Sequence, residues 1–285
     1  MTHHHGPHHT PHDGENDDAD LAELLDLDGQ VLCSYWAGVL TWVRAAAAGA
    51  SRILDLGAGS GVGTIALAQR FAGAEVIAVD ISEQMLQRIR VKALDLGLAN
   101  RIGTVQADLD AGWPAIAPVD LTWAALSLHH LTDPDRVLRE ILAATRPGGM
   151  MAVVEMAEPV SFLPHDLGFG QPGLEARCLD ALAEEHAHSV PELGSNWSSR
   201  LAAAGFTEVR ERVFPIELDP PHPPSTARYA QLWLRRLRSG LADQLAQDDL
   251  DALTTLIDGN GPESLRQRED LRVRGARTVT LARRP

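Results

Sequence analysis

Lysine is almost missing from this chain: Lys92 is the only one in 285 residues, and arginine supplies the rest of the positive charge. Acidic residues outnumber basic ones, 39 against 25, for a formal net charge of −14. That balance argues against a nucleic-acid partner, because affinity for a phosphate backbone rests on neutralising it with Lys and Arg. Arginines do cluster at Arg235, Arg236 and Arg238, and again at Arg266, Arg268, Arg272, Arg274 and Arg277. In a chain that hardly uses lysine they read as solvated helix and loop surface. Cysteine is scarce as well. Cys33 and Cys178 give no metal-ligand spacing and no disulfide framework, so a reducing cytoplasm is the expected setting. No apolar run approaches membrane-spanning length and the N-terminus is polar, so neither a transmembrane helix nor a secretory signal is expected.

What is present is enough for a full core: 45% of the residues are hydrophobic, an ordinary share for a globular chain of this length. The first twelve residues, MTHHHGPHHTPH, hold six histidines, and an acidic stretch follows to Asp20. Nothing there can form a core, so residues 1–20 are expected to be a disordered tail. Imidazoles can bind Zn or Ni, but without fixed geometry the tail contributes no metal site, and none is expected elsewhere. Residues 21–285 are expected to form one domain.

Two helical patterns, Leu21–Leu27 and Tyr35–Ala48, precede a regular alternation. Strand-like runs cover Arg52–Leu56, Glu75–Asp80, Ile102–Ala107, Leu121–Leu126 and Met150–Glu155. Helical runs at Thr64–Phe71, Glu83–Leu96 and Asp135–Thr145 separate them. This order predicts a parallel sheet with helices on both faces. From Ala157 the pattern loosens into a loop and a short helix, so inserts are expected at about 157–194 and 222–275. The second contains a helix with Ala230, Trp233, Leu237 and Leu241 on one face, then another over Asp248–Ile257. A final strand, ARTVTLARR, closes the chain.

The stretch ILDLGAGSGVGT places glycines at 57, 59, 61 and 63 between a strand and a helix. Such a turn brings backbone amides close to a charged small molecule. The dinucleotide pattern G-x-G-x-x-G is broken, because Val62 or Thr64 falls where the third glycine belongs. Asp55, two residues before Gly57, is unwelcome near a pyrophosphate and welcome near an ammonium group. Asp80, ending the second strand, can accept hydrogen bonds from ribose hydroxyls. Asp108, after the third, can accept from an exocyclic amine, while Ile81 and Met85 can sandwich a base.

The runs DLGAGSGVGT, VIAVDISEQML, VQADLD, LHHLTDPDRVLREILAATRPGGMMAVVE and LAAAGFTEV occur in that order. Together they resemble the class I S-adenosylmethionine-dependent methyltransferases, most of all the broad group that acts on small molecules. The resemblance covers residues 51–156 well and 195–218 and the last strand more loosely. It implies an α/β, Rossmann-like, seven-stranded, mostly parallel sheet with a reversed last strand, carrying helical inserts near the C-terminus. It implies S-adenosylmethionine as the cofactor. Gly57, Ala58, Gly59 and Gly61 would then line its methionine part, with Asp55 facing the ammonium. Asp80 would hold the ribose, Ile81 and Met85 the adenine faces, and Asp108 and Leu109 the adenine edge. Leu126 and Ser127 would border the reactive methyl.

A sulfonium methyl is already electrophilic, so the protein must supply placement, exclusion of water and, for a hydroxyl acceptor, removal of a proton. His129 and His130, on the rim after the fourth strand, are the candidate bases, with His129 ahead. Tyr35, Trp36, Tyr229 and Trp233 are candidates for the acceptor pocket. The expected activity is direct methyl transfer to O, N or C of a small molecule, with secondary metabolism as the expected setting. Rival readings are a relative that binds the cofactor without transferring its methyl, as a cyclase would, and a nicotinamide-dependent reductase.

Overall fold

The computed structural model describes the backbone from Pro11 to Pro285 and side chains from Ala19 onward. The histidine run before Pro11, with its metal reading, lies outside the described residues. Residues 11–20 correct the expectation of a tail, because a helix, α1 (Pro11–Val31), already begins there.

After α2 (Cys33–Ala46) come β1 (Arg52–Leu56), α3 (Val62–Arg70), β2 (Glu75–Asp80), α4 (Glu83–Asp95), β3 (Ile102–Gln106) and β4 (Val119–Ala125). A single 3₁₀ turn (Leu128–His130) leads to α5 (Pro134–Ala144) and β5 (Thr145–Ser161). The chain continues through α6 (Leu174–Ser189), α7 (Trp197–Ala204), β6 (Thr207–Leu218), α8 (Thr226–Gly240), α9 (Gln247–Asp258) and β7 (Val273–Arg283). The seven strands form one sheet in the order β3-β2-β1-β4-β5-β7-β6, with β7 antiparallel to both neighbours and the others parallel. Strand order reverses between β1 and β4, which opens a crevice at their C-terminal ends.

Alternate residues of the strands feed opposite faces. Ile53, Val76, Leu121, Trp123 and Val279 meet α2 and α3 on one side. Leu54, Val79, Ala124 and Val153 meet α5 and α7 on the other. Caps fix the helix starts: Asp133 accepts from the Arg136 amide at 2.9 Å, with Pro134 opening α5.

One expected loop is a strand. Residues 157–161 continue β5, paired with β7 through register shifts on either side of Glu158. Those shifts step past Pro159, which has no N–H to give a ladder. The extended ends of β5, β7 and β6 support a cap made of α1, α6, α8 and α9, whose own core includes Leu27, Phe162, Tyr229 and Leu253. Among the described residues no helix is long and apolar enough to cross a membrane.

Candidate active site

A cavity of about 690 Å³ lies over the C-terminal ends of β1, β2 and β4, between the sheet and the cap. That is the size of pockets that enclose small molecules. The glycine loop forms its floor. Gly57 and Gly59 have φ of +64° and +52°, a region costly for residues with a Cβ. A Cβ on Gly57 would also stand 2.4 Å from the Ser127 Cβ. Asp80 ties the loop down, its carboxylate accepting from the Gly59 and Ser82 amides at 2.8 Å each. Each oxygen keeps a second lone pair for a ligand hydroxyl.

Of the residues expected at the cofactor, Asp55, Gly57, Ala58, Gly59, Asp80, Ile81, Met85, Asp108, Leu109, Leu126 and Ser127 all line this cavity. Ile81 is 64% exposed at its mouth, a position that a flat apolar ligand would cover. Leu126 holds a φ of +54°, strain of the kind found at ligand clamps. Asp55 is buried, accepts from the Thr64 hydroxyl at 2.6 Å, and has its pKa pushed up to about 7 by that burial. Gly61 is the exception. It caps α3 with φ +90° and its Cβ direction runs into Ile89 of α4, so it serves packing and does not reach the cavity.

The two candidate bases lie in different surroundings. His129 is 8% exposed and its Nδ1 lies 2.6 Å from the buried Glu155 Oε2, turned away from the cavity. His130 lines the cavity, with its ring centroid 4.1 Å from that of His129. Burial, then the neighbouring His129 and His186, lower its pKa, which keeps the ring neutral at pH 7. The 3₁₀ turn sets this arrangement, since it points consecutive residues in different directions.

Of the candidates for the acceptor pocket, Trp36, Tyr229 and Trp233 line the same cavity. Tyr35 does not. Its ring packs edge-on to Trp36 and Phe214, in the layer behind the wall. Joining these side chains is a buried hub at Asp28, which accepts from the Trp36 indole at 2.9 Å and the Tyr229 hydroxyl at 2.8 Å. Arg277 clamps both oxygens of Asp28 and lies 4.9 Å from the Trp36 ring centroid. It is 4% exposed, which corrects its reading as solvated surface. Burial opposes its charge, but Asp28 outweighs that and raises the pKa.

Sequence reasoning read a helix over Leu21–Leu27 but missed that it forms part of the site. Leu21, Leu24 and Leu25 of α1 cover the glycine loop. Lys92 joins Asp26 of α1 and donates to the Ser60 carbonyl at 2.8 Å. The spacing of the leucines was the available signal.

Comparison with known proteins decides what this arrangement is. A family model described as a methyltransferase domain matches residues 53–149. A trans-aconitate 2-methyltransferase of Azoarcus sp. is 30% identical over 213 residues, 74% of this chain and 68% of that protein. The chain belongs to the class I S-adenosylmethionine-dependent methyltransferases. A malonyl-[acyl-carrier protein] O-methyltransferase of Laribacter hongkongensis is 34% identical over 42% of the methyltransferase chain, which spans only 41% of that relative. A crystal structure from Bacillus halodurans, assigned as a methyltransferase, shares the fold with a TM-score of 0.54 at 18% identity, over 86% of this chain and 98% of that one. The cofactor of this methyltransferase is S-adenosylmethionine, and the cavity suits it: a bare glycine floor, an acid at the end of β2, and an apolar wall at Ile81 and Met85.

Asp80→Ala should raise the dissociation constant for S-adenosylmethionine about ten- to a hundred-fold, the worth of a charge-assisted hydrogen bond. Calorimetry on the folded variant checks this. An unchanged constant removes Asp80 from the site.

Proposed function

We propose that this small-molecule methyltransferase acts on a largely apolar acceptor that is neutral at its reacting end, with His130 as the base when the acceptor atom is a hydroxyl oxygen. Secondary metabolism is the setting we assign to such an acceptor. One observation carries the reading: among the described residues lining the cavity, Arg277 is the only lysine or arginine, and Asp28 already neutralises it. The carboxyls of Asp55, Asp80, Asp108, Asp110 and Glu158 line the same space.

S-adenosylmethionine supplies an electrophilic methyl when bound. The chain's own residues then have three tasks. Trp36, Trp233 and Met156 give the acceptor apolar surface and exclude water. Strand ends and cap would fix its position, and such placement is the larger part of the catalysis. His130, neutral at pH 7, takes the hydroxyl proton as the new bond forms.

A polycarboxylate fits this space poorly. Trans-aconitate, named in one relative, would bring anions to a wall whose single guanidinium is already committed, and close unpaired like charges cost free energy. Incubation with S-adenosylmethionine and matched acceptors tests this, S-adenosylhomocysteine release being the readout. Neutral phenols and alcohols should turn over, and their carboxylate counterparts should not. Methylation of trans-aconitate with the neutral compounds ignored would overturn the proposal.

A further inference from the structure

We propose that Glu158 recognises a cationic amine on the methyl acceptor, carried away from the atom that is methylated; this rests on the acceptor being largely apolar and neutral at its reacting end. The placement begins in the sheet. Past Val154, β5 leaves β4 and pairs with β7 alone. Met156, Glu158 and Val160 then line the cavity, the alternate residues of one strand face. Glu158 is the one charge in that stripe, and it is exposed. Register shifts lie on both sides of it, a device that re-aims side chains beside active sites. Gly275 of β7 makes room for the bend, since a Cβ there would stand 3.1 Å from the Pro159 carbonyl oxygen and 3.3 Å from that of Glu158.

The other carboxyls lining the cavity are matched by the protein. Asp28 has Arg277, Asp55 has Thr64, and Asp80 has two loop amides. Asp108 accepts from the Asp110 amide at 2.9 Å, and Asp110 from the Thr132 amide and hydroxyl at 3.0 Å each. Glu158 differs. Among the described residues its carboxylate has no hydrogen-bond or ion-pair partner, although β7 brings arginines to both sides of it. Arg277 pairs in the ladder with Met156, and Arg274 with Ser161. Asp28 holds the first of these and Asp219 the second.

An unmatched carboxylate beside an apolar wall favours a ligand that brings its own positive charge. A divalent metal ion would want several oxygen donors, and Glu158 stands alone between Met156 and Val160. An alkylammonium suits the place better, because its substituents meet apolar and aromatic surface while its charge meets the carboxylate. Trp36 already faces the Arg277 guanidinium, which leaves Trp233 as the ring for the amine.

Two phenols that differ only in charge test this. Each carries an ethyl arm, ending in trimethylammonium in one and in its neutral tert-butyl isostere in the other. Calorimetry on the full chain loaded with S-adenosylhomocysteine should show the charged phenol binding about five- to twenty-fold tighter. Added salt should shrink that margin. Glu158→Gln should level the two affinities, and Glu158→Lys should reverse their order. A wild type that binds neither phenol or both equally overturns the proposal, as does a Glu158→Gln variant that keeps the margin. A quaternary nitrogen cannot itself be methylated, so turnover reports on the hydroxyl alone. Failure to methylate either phenol, with the margin intact, would instead overturn the neutral hydroxyl acceptor.

Discussion

His130→Ala is expected to lower turnover of a hydroxyl acceptor by about 10²–10⁴-fold, the usual contribution of a positioned base, while affinity for S-adenosylmethionine stays near that of the wild type. The base must be neutral to act. Because burial and two neighbouring histidines hold the His130 pKa below its ordinary value of 6.5, the wild-type rate should be level around pH 7. It should fall only as pH drops through that lowered pKa. The alanine variant should lose this acid limb as well as the rate. His129→Ala tests the other half of the assignment. It strips the buried Glu155 of its partner at 2.6 Å, so a fall in melting temperature is expected before any specific effect on the chemistry. Turnover measured across pH for both variants decides the matter. Near-normal rates for His130→Ala would leave placement alone to carry catalysis.

The different surroundings of the two histidines show where the sequence stops speaking. The strands, the glycine loop and the acids at the strand ends are local patterns, because a strand's period and a turn's glycines are set by backbone sterics. Asp55, Asp80 and Asp108 were legible for that reason. Which of two adjacent histidines lines the cavity is set by a turn whose partner, Glu155, lies on another strand. Gly61 failed similarly: its positive φ was readable as a glycine requirement, but only the approach of Ile89 shows that packing imposes it. Arg277 was more accessible than the reading allowed. It alternates with Val279 and Leu281, both buried, along ARTVTLARR, and period two places it inward. Its partner Asp28, 249 positions away, was out of reach. The cap is the extreme case. Its helices were visible one by one, yet that α1 joins α8 through Arg228 and Glu23 is tertiary information.

The second large effect concerns Asp55, where stability and ligand binding pull in opposite directions. Asp55→Asn should stabilise the ligand-free protein above pH 7 and weaken its hold on S-adenosylmethionine. The unfolded chain ionises this carboxyl near 3.8, whereas burial holds the folded pKa at about 7. Between those values the folded state carries a proton that the unfolded state has lost. Raising the pH through the window therefore costs stability, none at its lower end and the whole amount once pH passes 7. That gap corresponds to roughly 4 kcal/mol as an upper bound. Asparagine resembles the protonated acid, can still accept from Thr64, and removes the penalty. An ammonium beside Asp55 reverses the preference, because it selects the carboxylate. Wild-type affinity should then tighten as pH rises toward 7, with a proton released on binding below that point, and the asparagine variant should show neither. Melting curves across pH without ligand, and calorimetry in buffers of different ionisation enthalpy with it, measure the two halves separately. A wild-type affinity that stays flat from pH 5.5 to about 7, or an asparagine variant that binds as tightly, would take the ammonium away from Asp55. A stabilised variant with weakened binding would show that this buried charge is kept for the ligand and not for the fold.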